Sequence, residues 1–493
     1  MVRHRKVATG PAPMRAARQQ TKRRSAISAA ITLAVLALLG GVAYADAHEL
    51  IAFPALLTLD APHVQPSPFP SPSGALPAPP IAAVSATLPS NAPMPTQATV
   101  QALVDELVDQ SALGSHVGVL IVDQLTGEVL GRANEDSAFT PASTQKIMTG
   151  LAAFNELNPE ARLATVVRQD GERLILVGGG DMLLAAEHGN PDQIDDHVGM
   201  ADLAALAAAQ VKLAGRTAVT LEVDDTLFED PRFAMAVPVS EINMGFVAPV
   251  ASLAVNQARV NLADKSDMTA RQTVPALAAA RIFAEALAEY GVTVEGQITH
   301  SQGPTISVPE IARVESATIA EVTEWAMQRS DNTLTEVLGR LIALETGFPP
   351  TAIGAVQAVE QSVGSLGVNL AGAKLVDLSG LGRGSLLTPE HLIQMLQLAA
   401  SGPNSELRQV AIGLPIAGMT GTLTDRFPGS TYAIGAVRAK TGSLPGVTAL
   451  AGTIVTASDR LLLFVIVADQ TPGQGQFAAR QVMDRFVDQI AGL

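Results

Sequence analysis

Soon after Thr96, apolar positions recur at helical spacing: Val100, Leu103, Val104, Leu107 and Val108 line one face of a predicted helix. Val117 to Val122 follows as an almost unbroken apolar strand. Leu125-Thr126-Gly127 turns the chain, and Glu128 to Arg132 returns as a short second strand. The far end repeats the strand pattern. Ala436 to Leu444, Val447 to Thr456 and Leu461 to Ala468 are three strand-like runs with short connections, the pattern of an antiparallel meander. Val482, Phe486, Val487 and Ile490 then share one helical face. The pattern predicts a sheet built from both ends of the chain, with a terminal helix from each end packed on it.

The middle has a different rhythm. From about 165 to 310, short strand-like runs alternate with turns; Arg173 to Val177 precedes Gly178-Gly179-Gly180-Asp181, and Ala276 to Tyr290 has a helical pattern. We read 165–310 as one or two inserted domains, dividing the main body into a first part, 96–164, and a second, 311–493. The expected fold class is α/β (α+β). The triple glycine reads as a structural turn, since no G-x-x-x-x-G-K-[ST] accompanies it.

Ahead of the body lies an address. Residues 1–24 form a basic arm that would stay on the cytoplasmic side, and 25–45 carry no charge and end in Ala43-Tyr44-Ala45. That stretch suits either a signal peptide or a membrane anchor, its length fitting both. Arg23-Arg24 reads as ordinary flanking charge. Residues 46–95 form a Pro-rich linker, with Pro66-Ser67-Pro68 and Pro79-Pro80 keeping it extended. The expectation is an extracytoplasmic protein, secreted or anchored, with membrane contact through 25–45.

Charge narrows the partners. The net charge is -15, and outside the basic arm 24 Lys and Arg face 47 Asp and Glu. So acidic a surface repels polyphosphate, which argues against nucleic acid. The absence of cysteine rules out disulfides and thiolate chemistry. There is no G-x-S-x-G, no H-E-x-x-H and no metal-binding histidine cluster, so neither metal nor cofactor is expected.

Three short motifs occur once each and in order: Ser143-Thr144-Gln145-Lys146, Ser330-Asp331-Asn332 and Lys440-Thr441-Gly442. Each is weak alone, although Lys-Thr-Gly is rarer in a chain with seven lysines. Pro141-Ala142 precede Ser143 and Ile147 to Leu157 reads helical, which would put Ser143 at a helix N-terminus, where the dipole favours an anionic intermediate. Lys146 lies one turn on, in reach of the hydroxyl. It can take the serine proton only if burial or a second cation, such as Lys440, lowers its pKa. Ser330-Asp331-Asn332 falls between two helical patterns, Ile319 to Arg329 and Thr335 to Glu345, so it is either a helix cap or a catalytic turn. In the second case Ser330 relays a proton and Asn332 holds a substrate amide. Lys440 and Thr441 suit a substrate carboxylate, Gly442 admits a close backbone, and the Ser443 N–H can complete an oxyanion hole.

The ordered trio resembles that of β-lactamases and penicillin-binding proteins. With 187 positions between Ser143 and Ser330, the chain is more similar to the D-Ala-D-Ala carboxypeptidase/endopeptidase family, the class C low-molecular-mass penicillin-binding proteins, which insert domains there. Gly178-Gly179-Gly180-Asp181, Val255-Asn256, Gly421-Thr422-Leu423 and Lys440-Thr441-Gly442-Ser443-Leu444 support the likeness over roughly 100–490. The resemblance implies a transpeptidase-like domain with an antiparallel sheet flanked by helices. It makes Ser143 the acylated nucleophile, Lys146 the base and Ser330 the relay, with Asn332, Lys440 and Thr441 lining the cleft. Asp377-Leu378-Ser379-Gly380 departs from the family's D-G-S-G. The implied activity is serine-type D-Ala-D-Ala carboxypeptidase action on peptidoglycan peptides, with endopeptidase action by the same route and β-lactams as covalent inhibitors. Two alternatives stay open: a β-lactamase or esterase using the same serine, and an inactive wall scaffold.

Overall fold

The computed structural model describes residues 89–493, apart from 265, 267, 303, 304, 403, 474 and 475. The basic arm, the 25–45 stretch and most of the Pro-rich linker lie outside the described residues. Helix α1 (Gln97–Val108) opens on Thr96, whose hydroxyl accepts the Thr99 N–H and caps the first turn. Strands β1 (Val117–Asp123) and β2 (Val129–Ala133) meet at a turn tied by the Asp123 carboxylate, which accepts from the Thr126 N–H and hydroxyl. A 3₁₀ turn, Ala142–Gln145, feeds α2 (Lys146–Glu156).

The chain then forms β3 (Arg162–Asp170), β4 (Arg173–Val177), β5 (Asp181–Leu184) and α3 (Met200–Leu213). Next come β6 (Ala218–Asp224), β7 (Leu253–Val255), α4 (Pro275–Glu289), β8 (Thr293–Val294), β9 (Thr299–His300) and β10 (Glu310–Thr318). Helices α5 (Ile319–Arg329), α6 (Asn332–Glu345), α7 (Ala352–Ser365) and α8 (Pro389–Ser401) follow. Strands β11 (Val437–Leu444), β12 (Val447–Val455) and β13 (Leu461–Ala468) and helix α9 (Phe477–Ala491) close the chain.

The two chain ends build one antiparallel sheet, in the order β11-β12-β13-β1-β2. Its strands are apolar on both sides because both faces are covered. Val119, Ile121, Leu450, Phe464 and Ile466 pack with Val100 and Val104 of α1 and with Met483, Phe486 and Ile490 of α9. On the other face, Leu120, Val122, Ala449, Val465 and Val467 pack with residues of α2, α6, α7 and α8, among them Leu151, Ile342, Val359 and Leu396. Each of the larger side chains so buried is worth about 1.5–3 kcal/mol. This mixed α/β architecture is the one the sequence led us to expect.

The second sheet runs β10-β3-β4-β6-β8, with β9 also on β6. β3 is antiparallel to both its neighbours, whereas β4, β6 and β8 are parallel. Alanine-rich α3 and α4 cover it, and this cluster draws its members from Val167 to Val314. The Gly178-Gly179-Gly180 turn is structural: a Cβ on Gly179 would stand 2.3 Å from the Ala164 carbonyl oxygen, and Gly180 has φ +110°. From β10 the chain enters α5 through a capping box in which Thr318 and Glu321 exchange hydrogen bonds.

Candidate active site

Ser143 stands in the 3₁₀ turn, one turn ahead of the α-helix proper, because the chain tightens before α2 begins. The residue before it, Ala142, has φ +48°, a left-handed conformation that costs a non-glycine residue about 1 kcal/mol or more. Two glycines make room for this turn. A Cβ on Gly380 would come 2.1 Å from the Ala142 carbonyl oxygen, and one on Gly442 would come 2.7 Å from that of Pro141. Gly442 therefore lets β11 lie against the serine turn.

Lys146 is fully buried, and its Nζ has three partners. It donates to Ser143 Oγ at 2.8 Å, Asn332 Oδ1 at 2.7 Å and the Ser379 carbonyl at 2.5 Å. A protonated amine satisfies all three. A neutral amine has two N–H bonds, enough for Asn332 and Ser379, and its lone pair is left facing the Ser143 hydroxyl. Burial pushes this ammonium down to about 8, against the pull of Asp377, Asp331 and Glu336. Asn332 is held in turn, its Nδ2 donating to the Phe246 carbonyl at 2.9 Å.

Asp331 and Asn332 divide the two readings of their motif. Asp331 is the helix cap, accepting the Leu334 N–H at 2.8 Å, and α6 starts at Asn332, three residues earlier than its apolar pattern suggests. Ser330 ends α5 with φ 56°. Its hydroxyl accepts from Lys440 Nζ at 2.8 Å. Lys440 is fully buried and turns inward, donating also to the Thr441 carbonyl at 3.0 Å. Burial, and then the charge on Lys146, hold Lys440 well below the usual lysine range. Thr441 Oγ1 lies 2.9 Å from Thr422 Oγ1, and Ser443 Oγ accepts from Arg480 at 2.8 Å.

The structure thus brings the eight expected residues to one place in three groups. Ser143, Lys146 and Asn332 form the first, Ser330 and Lys440 the second, and Thr441, Gly442 and Ser443 a strand passing both. The serine opens into a cleft of about 890 Å³ whose lining includes Ser330, Asn332, Thr441 and Ser443.

Asp377-Leu378-Ser379-Gly380, the string that departs from the family's D-G-S-G, forms a buried loop at the base of the site. The loop supplies the Ser379 carbonyl to Lys146, and Ser143 Oγ donates to the same oxygen at 3.3 Å. Buried Glu336 holds it, accepting the Leu378 and Ser379 N–H groups at 2.9 Å each. Gln145 also donates to the Asp377 carbonyl at 2.9 Å. Burial, with Asp377 alongside, pushes the Glu336 carboxyl up to about 7. The available signal was an acid among apolar α6 positions, between Leu334 and Val337-Leu338. A backbone carbonyl leaves no mark in a sequence.

A serine whose hydroxyl meets a buried lysine, beside a five-stranded antiparallel sheet, defines the penicillin-binding-protein and β-lactamase-like fold class. A family model described as the D-Ala-D-Ala carboxypeptidase 3 (S13) family matches residues 100–267 and 261–490. The chain belongs to that family. It is 32% identical over 412 residues to a carboxypeptidase of Mycobacterium tuberculosis, covering 78% of this chain and 87% of that one. It is 29% identical over 466 residues to a D-alanyl-D-alanine carboxypeptidase of Actinomadura, covering 78% and 83%. Among solved structures, penicillin binding protein 4 of Haemophilus influenzae superposes with a TM-score of 0.67 at 21% identity, over 79% of this chain and 99% of that one.

Proposed function

We propose the following division of labour for this serine-type D-Ala-D-Ala carboxypeptidase, and the arrangement around Lys146 Nζ carries it. Neutral Lys146, anchored by Asn332 and Ser379, takes the Ser143 proton as Oγ attacks the carbonyl carbon of the penultimate D-alanine. The N–H groups of Ser143 and Ser443 receive the oxyanion. Ser330, backed by Lys440, relays a proton to the leaving amine, and the terminal D-alanine departs. Water then cleaves the Ser143 ester and restores the enzyme. Asn332 orients the substrate amide, Thr441 and Ser443 meet the carboxylate, and Lys440 stands behind them. An endopeptidase cut of a D-alanyl cross-link follows the same steps with a different leaving amine. A β-lactam acylates Ser143 in place of the peptide.

Family membership does not favour the lactamase, esterase or scaffold alternatives. The enzyme acts outside the cytoplasm on peptidoglycan, and we assign its export to residues 25–45, cleaved or retained as an anchor. Among the described residues no helix is long and apolar enough to cross a membrane. The test is D-alanine release by the full chain from a peptide ending in D-Ala-D-Ala, beside release from a cross-linked dimer. We expect release by the native enzyme and none by Ser143→Ala. Undiminished release by Ser143→Ala would overturn the assignment.

A further inference from the structure

Helix α9 opens with a charge out of place. Arg480 lies in its first turn, where the helix dipole favours acids over cations. A second cation, Arg426, is close by, and the acid one turn further on is already taken: Arg426 binds Asp484 through Nε at 2.9 Å and Nη2 at 2.5 Å. The hydrogen-bond partners of Arg480 are neutral, Ser443 Oγ at 2.8 Å and Gln476 Oε1 at 2.7 Å. Its Nε is buried with no hydrogen-bond partner among the described residues. Burial, with Arg426 beside it, holds the guanidinium below its usual range, against the pull of Asp484. A half-buried cation beside a like charge costs stability, and such a cost is a mark of a functional site.

The surroundings say what would neutralise it. Thr441 and Ser443 alternate onto the cleft side of β11, so two hydroxyls and the guanidinium form one row on the cleft wall. Arg271, Arg329 and Arg426 also line the cleft, but each is engaged elsewhere. Arg271 donates to the Gly245 and Gln257 carbonyls, Arg329 lies over the Trp325 ring, and Arg426 holds Asp484. The Lys440 ammonium points inward to Ser330 and Thr441. Among the described residues, Arg480 is thus the cation that reaches the β11 hydroxyls.

We infer that Arg480 is a substrate-binding residue that holds the free C-terminal carboxylate of the peptide, with Thr441 and Ser443 as its hydroxyl partners. The inference rests on the acylation reading above and adds to it the group that recognises the residue beyond the scissile bond. In the free enzyme Ser443 Oγ occupies the acceptor position that a carboxylate oxygen takes in the complex. A planar guanidinium suits this task, because two N–H groups can meet two carboxylate oxygens.

The test uses the full chain and two peptides that differ at one group, one ending in D-Ala-D-Ala with its free carboxylate and the other in the corresponding C-terminal amide. The readout is kcat/KM for release of D-alanine or D-alaninamide by native enzyme, Arg480→Gln and Arg480→Lys. Arg480→Gln should lose about 30- to 100-fold on the free acid, the effect of a lost charged hydrogen bond, and less than about threefold on the amide. Arg480→Lys should recover part of the loss. Equal losses on both peptides, or no loss on either, would overturn the inference. Penicillin labelling of Ser143 separates the two levels. If native enzyme is labelled there and Arg480→Gln fails to discriminate, only the Arg480 role falls. If Ser143 is not labelled, the acylation reading falls with it.

Discussion

The two sheets of this chain are both covered by helices, but their buried charges meet different partners. Around the six-stranded sheet the helices present alanine, leucine, valine and phenylalanine, and the cluster is apolar throughout. Beside the five-stranded sheet, Lys146, Glu336 and Asp377 are buried in a chain of contacts that ends at Ser143, and buried Lys440 meets Ser330. An unpaired buried charge costs several kcal/mol, so such a group persists where chemistry needs it. Buried acids also lie at the second sheet: Asp224 at the end of β6, held by the Thr226 and Thr305 hydroxyls, and Asp181 on neighbouring β5. Asp181 accepts the Leu183 N–H, and burial pushes its carboxyl up to about 7. It lines neither the cleft nor the lysine network. In the proposed mechanism the perturbed groups around Lys146 serve the reaction, whereas Asp181 has no part in it.

The largest expected effect comes from breaking the first region at its base. Lys146→Ala should slow acylation by penicillin about 10³-fold or more while leaving prior noncovalent binding within a fewfold, as stopped-flow acylation traces would report. Equal losses in binding and acylation would make Lys146 a structural residue. The pH profile sharpens the same point. Free-enzyme acylation should climb with pH and level off above about 8, as Lys146 gives up its proton, and the Lys146→Ala profile should lack that inflection.

Glu336 tests the frame around the base. Glu336→Ala leaves two buried N–H groups without an acceptor and should cost about 2–4 kcal/mol in denaturant unfolding. It should also slow acylation about tenfold by loosening Ser379, whereas Glu336→Gln keeps an acceptor oxygen and should stay closer to native.

Asp181 supplies the smallest effect on acylation and the opposite signature. Its folded-state pKa is raised, so ionisation opposes folding. The penalty is absent below the ordinary aspartate range, grows as pH rises through it, and is complete above about 7. Asp181→Asn should therefore match native stability near pH 3.5 and exceed it by about 4 kcal/mol at pH 8, with acylation unchanged. A changed acylation rate would remove the contrast between the two regions.

Much of the first region was legible in the sequence, for a physical reason. A sheet buried on both faces leaves long apolar runs, so β1, β11, β12 and β13 stand out, and the amphipathic stripes of α1 and α9 mark the helices that cover them. The three polar motifs are side-chain chemistry and survive in one dimension. The second sheet was harder, because strands as short as β8 and β9 carry little periodicity, and the parallel β4-β6-β8 order depends on crossovers that only the folded chain shows. In the site, the Ser379 carbonyl has no side-chain signature. Glu336 reads as one acid in a helix, and Arg480 meets Ser443 across 37 positions. The α6 boundary shifted because Asn332 and Thr333 read as turn residues until Asp331 caps them.

The central claim, Ser143 as the acylated nucleophile, is tested most directly by intact-protein mass spectrometry of the full chain with benzylpenicillin, followed over hours and mapped by peptide digestion. A single long-lived adduct on the peptide containing Ser143 is expected, and none in Ser143→Ala. An adduct that persists in Ser143→Ala, or folded native protein that takes up no penicillin, would contradict the claim.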